Sequence, residues 1–486
     1  MFIRQIKSRN STCFQIGEKQ AGRFIIKQHV GCASTLTGIE IIKLKAKQLL
    51  FELKHINQLP LIEENKLPTA KLTNWKITGF HQVFGTVYDL IGFPKSLLRD
   101  LVVARIAYPK SKAATLRYLE TGFGMKLKKD MLYRFLDTLD KDKMTQIAFN
   151  FVSGRHPKGI SVCFYDVTTL YFETTREDDV RQKGFSKDHR MDIPQVLIGL
   201  FVDDQGYPFD FDFYAGKTFE GHTFVKAMKS IRSKYHFPEL TVVADAGMLS
   251  QKNLDYLDDI KINYIVGARI KNLPQDLTQQ ILFHQYIHKP IFQSIIDTKR
   301  LLVDCSPSRA KLDAKNRDRA VTKLKQKLVD KKPVVRKSKY LLTEGKSEVV
   351  GLDDKQIKFD QQFDGLKGYF TNRDNQSKNA DIIFQYHQLW QVEKAFRMSK
   401  HDLRERPVYH YKEQRIKAHL ILCFVSLLVM KETERYLTKI HCSLERAIEL
   451  LEKVGQGVVK VGNVELITES ESDPTVELIH KLFQGH

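Results

Sequence analysis

Cysteine is scarce in this chain: six residues in 486, at positions 13, 32, 163, 305, 423 and 442, widely scattered and without a CxxC pair. That spacing argues against a disulfide framework and against a zinc ribbon, and reads most of the six as small core residues. Long apolar runs are missing too. The longest, Ala418 to Met430, contains His419 and is too short to span a bilayer. The opening MFIRQIKSRN lacks the apolar segment and small-residue cleavage site of a secretory signal. A soluble, intracellular chain without membrane contact is expected. Tryptophan is nearly absent, with only Trp75 and Trp390. Acids are in deficit, 57 against 78 Lys and Arg, which leaves a formal net charge of +21 and a sustained positive field that favours a polyanionic partner, nucleic acid first. What is abundant is apolar surface: 42% hydrophobic residues, with 30 Phe and 18 Tyr. Burying that much surface offsets the entropy of ordering, so a mainly disordered chain is excluded, and the length is enough for about three domains.

The texture changes along the chain. Residues 1 to about 55 mix strand-like runs such as Arg23 to Lys27 with an apolar-periodic stretch, Ile39 to Leu53. From Val83 to Val152 apolar residues recur at three- and four-residue intervals, the mark of helices, interrupted by Pro94, Pro109 and glycines near 122–124. Beyond His156 come short runs of strand composition: Gly159 to Leu170, Gln195 to Val202, a turn at Asp203 to Gly206, Tyr207 to Tyr214, then LTVVAD (Leu240 to Asp245) and NYIVGA (Asn263 to Ala268), with helical pieces at Phe224 to Tyr235 and Gln251 to Ile260. This order predicts an α/β sheet of mixed direction with LTVVAD parallel to GISVCFYD. The densest basic run, Arg309 to Lys339, carries thirteen Lys and Arg against three Asp. Ala310, Ala314, Ala320, Leu324 and Leu328 give it an apolar stripe for docking, with the basic face outward toward phosphates. Helical periodicity resumes from Asp381 to Ile440, and the acidic TESESDP near the end reads as a solvated linker or tail.

Two acids stand where catalytic carboxylates would be placed: Asp166 inside VCFYDVTTLYF and Asp245 at the end of TVVAD. A carboxylate embedded in an apolar strand is costly to desolvate unless it is paired, hydrogen-bonded or bound to a cation. One such Asp alone reads as a turn cap or a buried salt bridge; two on neighbouring strands point to a shared cation. A third carboxylate comes from the helix predicted over Asp381 to Leu403, where Tyr386, Glu393 and Lys400, spaced by seven, share one face. Three carboxylates can hold two divalent ions about 4 Å apart for in-line phosphoryl displacement. Hard oxygen donors without a His or Cys cluster favour Mg²⁺ or Mn²⁺ over zinc, so two such ions per site, and no small-molecule cofactor, are expected. Lys400 would neutralise phosphate charge and Tyr386 would hydrogen-bond a phosphate oxygen.

These segments resemble the DDE transposases of the IS4 type, more closely the IS1634 branch: FYDVTTLYFE around Asp166, Gly184 to Thr223, VVADAGMLS around Asp245, and Tyr386 to His410. The family signature in the last segment is Tyr, two residues, Arg, three residues, Glu, six residues, Lys; Tyr386, Glu393 and Lys400 match it, and Leu389 stands at the Arg position. The resemblance implies an RNase H-like catalytic core, a mixed five-stranded sheet with helices, in which Asp166, Asp245 and Glu393 are the catalytic, metal-binding triad. The long separation from Asp245 to Glu393 then implies a mainly β insertion. The organisation it implies is a mostly helical DNA-end-binding region at 1–155, catalytic core at 156–270 and 381–440, the insertion with its basic stretch at 271–380, and a helical region with an acidic tail at 441–486. The activity implied is that of an insertion-sequence transposase: it binds terminal inverted repeats of double-stranded DNA, cleaves by metal-dependent hydrolysis and joins the 3′-OH ends to target DNA, as a homodimer in the prokaryotic cytoplasm at the nucleoid. Backbone contacts are expected from Lys187, Arg190, Arg317, Arg319, Lys323 and Lys327. Some relatives stack a flipped base on a Trp of the insertion; none lies in 271–380, which leaves Tyr286, Tyr340 or Phe363 for that role. An inactive or regulatory DNA-binding relative, or a nuclease without strand transfer, are the alternatives.

Overall fold

The computed structural model describes the chain except residues 9, 21, 55–69, 185–191, 249, 331–338, 345–347, 375–376, 462–463, 471–472 and 485–486. Lys187 and Arg190 lie outside the described residues. Two compact units emerge: Met1–Lys76 with Gly455–Glu471, and Ile77–Val454 with Ser472–His486.

The smaller unit is built on strands. Phe2–Lys7, Thr12–Gln20 and Arg23–Ala33 form an antiparallel meander, followed by the helix Leu36–Lys54. A second three-stranded sheet joins Val464–Glu469, Gly455–Val461 and Ala70–Ile77. Among the described residues, the N-terminal region up to residue 77 holds four strands besides the helix Leu36–Lys54, and the helices of residues 81–153 follow. Of the acidic TESESDP, Thr468 and Glu469 close the edge strand Val464–Glu469, and Asp473 caps the helix Pro474–Phe483. Cys13 and Cys32 form a disulfide. Sequence spacing could not show it, because the partner is set by the hairpin register that places Cys13 opposite Cys32.

The larger unit is organised by one eight-stranded sheet. Its strands, in chain order, are β1 (Val162–Tyr171), β2 (Gln195–Asp203), β3 (Pro208–Ala215), β4 (Thr241–Ala244), β5 (Asn263–Ala268), β6 (Ile291–Ile296), β7 (Lys299–Cys305) and β8 (Leu366–Thr371). Across the sheet they run β6-β7-β8-β5-β4-β1-β2-β3. β1 is parallel to β4 and β4 to β5; every other pairing is antiparallel. The fold is therefore mixed α/β, with LTVVAD parallel to the Asp166 strand as the connection rule requires. The sheet is wider than the five strands expected, because three strands from 291–371 extend it beyond β5. Nor is the inserted stretch mainly β: its basic run folds as the 23-residue helix Pro307–Val329, capped by the Ser306 hydroxyl accepting from the Arg309 amide.

β1 and β2 are buried along most of their length, so they read as continuous apolar runs rather than alternating ones. Much of one cover is the helix Glu413–Thr438, buried through most of its turns and packed against Leu97–Ala107, Lys141–Ser153 and β3. A helix enclosed on all sides loses its polar face, and this explains the long apolar run read from the sequence. No helix among the described residues is long and apolar enough to cross a membrane.

One polar junction ties these layers. The almost fully buried Glu432 accepts from Arg155 Nη1 (2.8 Å), Tyr207 Oη (2.8 Å) and Arg435 Nη2 (2.7 Å). Burial disfavours its charge, but these donors more than offset that and hold the carboxyl below its usual range. Glu432→Ala leaves the guanidinium of Arg155 and the Tyr207 hydroxyl without their acceptor, and should cost about 3–5 kcal/mol. The check is the denaturant midpoint, which an incidental ion pair would leave unmoved.

Candidate active site

The site starts from strand register. β1 and β4 pair in parallel from Val162 with Thr241 to Tyr165 with Ala244, so the next step along both chains sets Asp166 beside Asp245. Aligned residues of adjacent parallel strands project to the same face, about 5 Å apart at the backbone. Each carboxylate is tied to its own loop or strand: Asp166 Oδ1 accepts from the Val167 amide and Asp245 Oδ1 from the Ala246 amide, both at 2.7 Å.

The third acid arrives from the following helices. The single helix expected over 381–403 is broken into Asn379–His387, Trp390–Arg397 and a wide π-helical turn at Met398–Asp402. Around Gln388 and Leu389 the amides bond three residues back, for example Gln391 N to Gln388 O (2.9 Å), which re-aims the chain. Tyr386 and Glu393 nonetheless meet. Val392, Ala395 and Phe396 anchor the second segment on β1 and β2, leaving Glu393 exposed on its open side.

Asp166, Asp245, Tyr386 and Glu393 line one cleft of about 550 Å³, together with Arg309, Lys367, His387, Leu389 and Trp390. Tyr386 Oη donates to Asp245 Oδ1 at 3.3 Å, and burial beside that carboxylate pushes the phenol pKa up, so it stays a donor. Its ring lies edge-on to Tyr369, whose hydroxyl donates to Asp304 (2.9 Å). Space for the Tyr386 hydroxyl comes from Gly267, next in β5 after the paired Val266: a Cβ there would lie 2.5 Å from Tyr386 Oη. Lys400 is outside the cleft lining; its ammonium donates to the hydroxyl of Thr168, two residues beyond Asp166 on the same strand face.

Two cations of the cleft were not assigned to it from sequence. Arg309 starts the basic helix Pro307–Val329, and Lys367 stands on β8 with its ammonium 4.6 Å from the centroid of the Tyr386 ring. Burial and the nearby Arg309 charge lower the Lys367 pKa, against the pull of Asp245, Asp304 and Glu393. Lys367 forms no ion pair among the described residues. Both cations come from the inserted stretch, and only its folding onto the sheet edge brings them here; no local motif announces that.

Other expected contacts are distributed unevenly. Arg319 and Lys323 are exposed on the outer face of the basic helix with Lys311 and Lys315, and Lys327 is half-buried on the same helix. Arg317 is corrected: only 9% exposed, it is turned inward and ion-paired with Asp364, so it is not a surface cation. The aromatic candidates of the insertion are corrected as well. Phe363 is core, Tyr286 packs on that core, and the Tyr340 hydroxyl is held by Asp360. Trp390, 48% exposed in the cleft, is the open aromatic face at the site.

The cleft offers carboxylate oxygens and a phenol, and its only imidazole, His387, is bonded to the Tyr369 hydroxyl. This donor set fits a hard divalent cation rather than zinc. The three carboxylates are spread more widely than a one-ion cage: among the described residues, the one His/Cys/Asp/Glu trio with ligand atoms all within 4.8 Å of one another is His156, Asp203 and Asp204. That trio belongs to the β2–β3 turn, where Asp203 accepts from the Gln205 and Tyr207 amides and from His156.

A family model described as the transposase DDE domain matches residues 157–429, more than half of the chain. The protein belongs to the DDE-domain transposases. Among solved structures it is similar to the piggyBac transposase in a synaptic complex with hairpin DNA, at 9% identity and a TM-score of 0.40, over 77% of this chain and 76% of that one. No curated protein matches it.

The Gly267 contact yields a structural test. Gly267→Ala should displace the Tyr386 hydroxyl from Asp245 while leaving the strand order intact. A crystal structure of the variant that retains the 3.3 Å bond would contradict this packing.

Proposed function

We propose that this chain is an insertion-sequence transposase of the IS4 type, IS1634-like branch, that cuts and joins DNA at the cleft between β1, β4 and the Trp390–Arg397 helix. The observation that carries the reading is the register that aligns Asp166 with Asp245 on one sheet face, with Glu393 lining the same cleft. The order β3-β2-β1-β4-β5, antiparallel then parallel, supports an RNase H-like core with the strands of 291–371 added at one edge.

Asp166, Asp245 and Glu393 would hold two Mg²⁺ or Mn²⁺ ions. When bound, such ions supply the positive charge that activates an attacking oxygen and stabilises the leaving one. The remaining work falls to the chain's own groups. Tyr386 holds the Asp245 carboxylate in place through its hydroxyl. Lys400 fixes Thr168 beside Asp166 and carries its charge toward the phosphates at that end of the cleft. Leu389 occupies the signature's Arg position and can offer no hydrogen bond, so backbone phosphate in the cleft is neutralised by Arg309 and Lys367 instead. Trp390 gives a base an exposed ring to stack on. The Lys311, Lys315, Arg319 and Lys323 stripe extends the positive surface along the duplex, and the helices between residues 81 and 153 recognise the terminal inverted repeats. Synapsis of two ends makes the working form a homodimer on DNA, at the nucleoid of a prokaryotic cytoplasm.

The test uses duplex DNA bearing the inverted repeats that flank the coding region. With Mg²⁺, wild type should nick at the ends and yield joined products. Asp166→Asn, Asp245→Asn and Glu393→Ala should each lose cleavage by more than about 100-fold, beyond what loss of an outer-shell partner produces, while end binding stays near wild type. Turnover by any of the three removes the triad. Cleavage without joined products selects a nuclease, and end binding without cleavage by wild type selects the regulatory relative.

Arg309→Gln should slow cleavage about 10- to 100-fold, the worth of one charge-assisted hydrogen bond to phosphate. A wild-type rate would mean that the insertion does not reach the scissile strand.

A further inference from the structure

A second cavity, of about 500 Å³, lies away from the three carboxylates, between the start of the helix Lys112–Phe123 and the loop that follows the π-helical turn. Its lining carries Arg105, Lys110, Lys112, Arg404 and Arg406, with His410 and His419, and no carboxylate.

Two of these cations are enclosed. Lys112 is only 7% exposed and Arg105 only 4%. Arg105 spends Nη1 on the Lys110 carbonyl (2.8 Å) and Nη2 on the Arg404 carbonyl (3.0 Å), but its buried Nε has no hydrogen-bond partner. The Lys112 ammonium faces His419 Nδ1 at 3.5 Å. His419 Nε2 is 2.9 Å from the Glu405 carbonyl oxygen, so that nitrogen carries the proton and Nδ1 is an acceptor, which leaves the ring neutral. Glu405 is the buried acid nearest this cluster. Its carboxylate accepts from Ser399, and it feels the charges of Lys400, Arg105 and Arg406 from outside the lining. Burial together with the massed positive charge lowers Lys112 to about 7 and His410 to about 4. Enclosed cations without a facing anion are expensive to maintain.

We infer that this cavity binds a phosphate group, gripped by Lys112, the Arg105 guanidinium and the first turn of the Lys112–Phe123 helix, with Lys110, Arg404 and Arg406 at its rim. Helix starts offer amides and partial positive charge; Ser111 Oγ already accepts from the Ala114 amide (3.3 Å), so the amides of Lys112 and Ala113 are the ones that add to the side-chain field. The source is either a backbone phosphate of bound DNA or a free phosphate. The DNA source rests on the function proposed above and on connectivity: Val408, in the cavity's loop, donates its amide to the Tyr171 carbonyl (3.1 Å) and bridges to Phe172 at the end of β1. Phe172 is six residues from Asp166, about 20 Å of strand, a distance that a duplex in the cleft covers in about six nucleotides.

The experiment takes the full-length protein and compares thermal unfolding in potassium phosphate with potassium chloride at matched ionic strength, then measures end-DNA affinity against salt. Wild type should gain phosphate-specific stability. Lys112→Met should be at least as stable in chloride, because a buried charge is gone, and should bind phosphate about tenfold more weakly. Lys110→Gln, on the exposed rim, should lower the phosphate response without touching the core. A fall of about 0.9 in the logarithmic salt slope of DNA binding for Lys112→Met assigns the cavity to a backbone phosphate; an unchanged slope with a lost phosphate response assigns it to free phosphate. Both variants keeping the full phosphate response and the full slope would overturn the inference. Wild type that shows the Lys112-dependent response but binds no duplex would refute the DNA reading and leave the cavity's assignment standing.

Discussion

The parallel pairing of β1 with β4 is the constraint on which the rest depends. It places Asp166 and Asp245 side by side on one face, at the point where the ladder ends and the chain turns away. Like charges so close oppose each other, and neither strand offers an Arg or Lys at the adjacent position to offset them. Compensation comes from elsewhere: a phenol from Tyr386, an ammonium from Lys367, a guanidinium from Arg309 and, in the reading proposed, divalent cations. Each compensating group lies on a different element, so the sheet order decides whether the site exists at all.

That dependence explains what could be read in the sequence. Asp166 and Asp245 stood out because a carboxylate inside a Val- and Phe-rich strand contradicts its surroundings, and local chemistry suffices to notice a contradiction. The crossover rule then supplied their neighbourhood. Tyr386 and Glu393 were legible from spacing, although the helix that carries them is broken at Gln388 and Leu389 and the seven-residue periodicity is only approximate in space. Lys400 departs furthest: the π-helical turn moves it off the cleft and onto Thr168.

What sequence could not show is long-range. β7 and β8 extend the sheet because β8 pairs with β5 across about a hundred residues, and no local periodicity encodes that partner. Arg309 and Lys367 follow from the same pairing. Arg317 was indistinguishable from its neighbours in a basic run; only the position of Asp364 turns it inward. The Cys13–Cys32 bond was hidden for a related reason, since hairpin register rather than spacing sets the pair. The insertion emerges less as a separate module than as the supplier of the cleft's positive wall. Beyond the cleft, positive charge is gathered at the enclosed Arg105–Lys112 cavity and along one exposed helix stripe.

The claim that three distant acids converge on a pair of divalent ions is tested most directly by electron paramagnetic resonance of Mn²⁺ bound to the full-length protein without DNA. Two Mn²⁺ per chain are predicted, with the exchange-broadened spectrum of ions about 4 Å apart, reduced to one isolated ion or none in Asp245→Asn. Equal Mn²⁺ uptake by wild type and a variant lacking all three carboxylates would contradict the account.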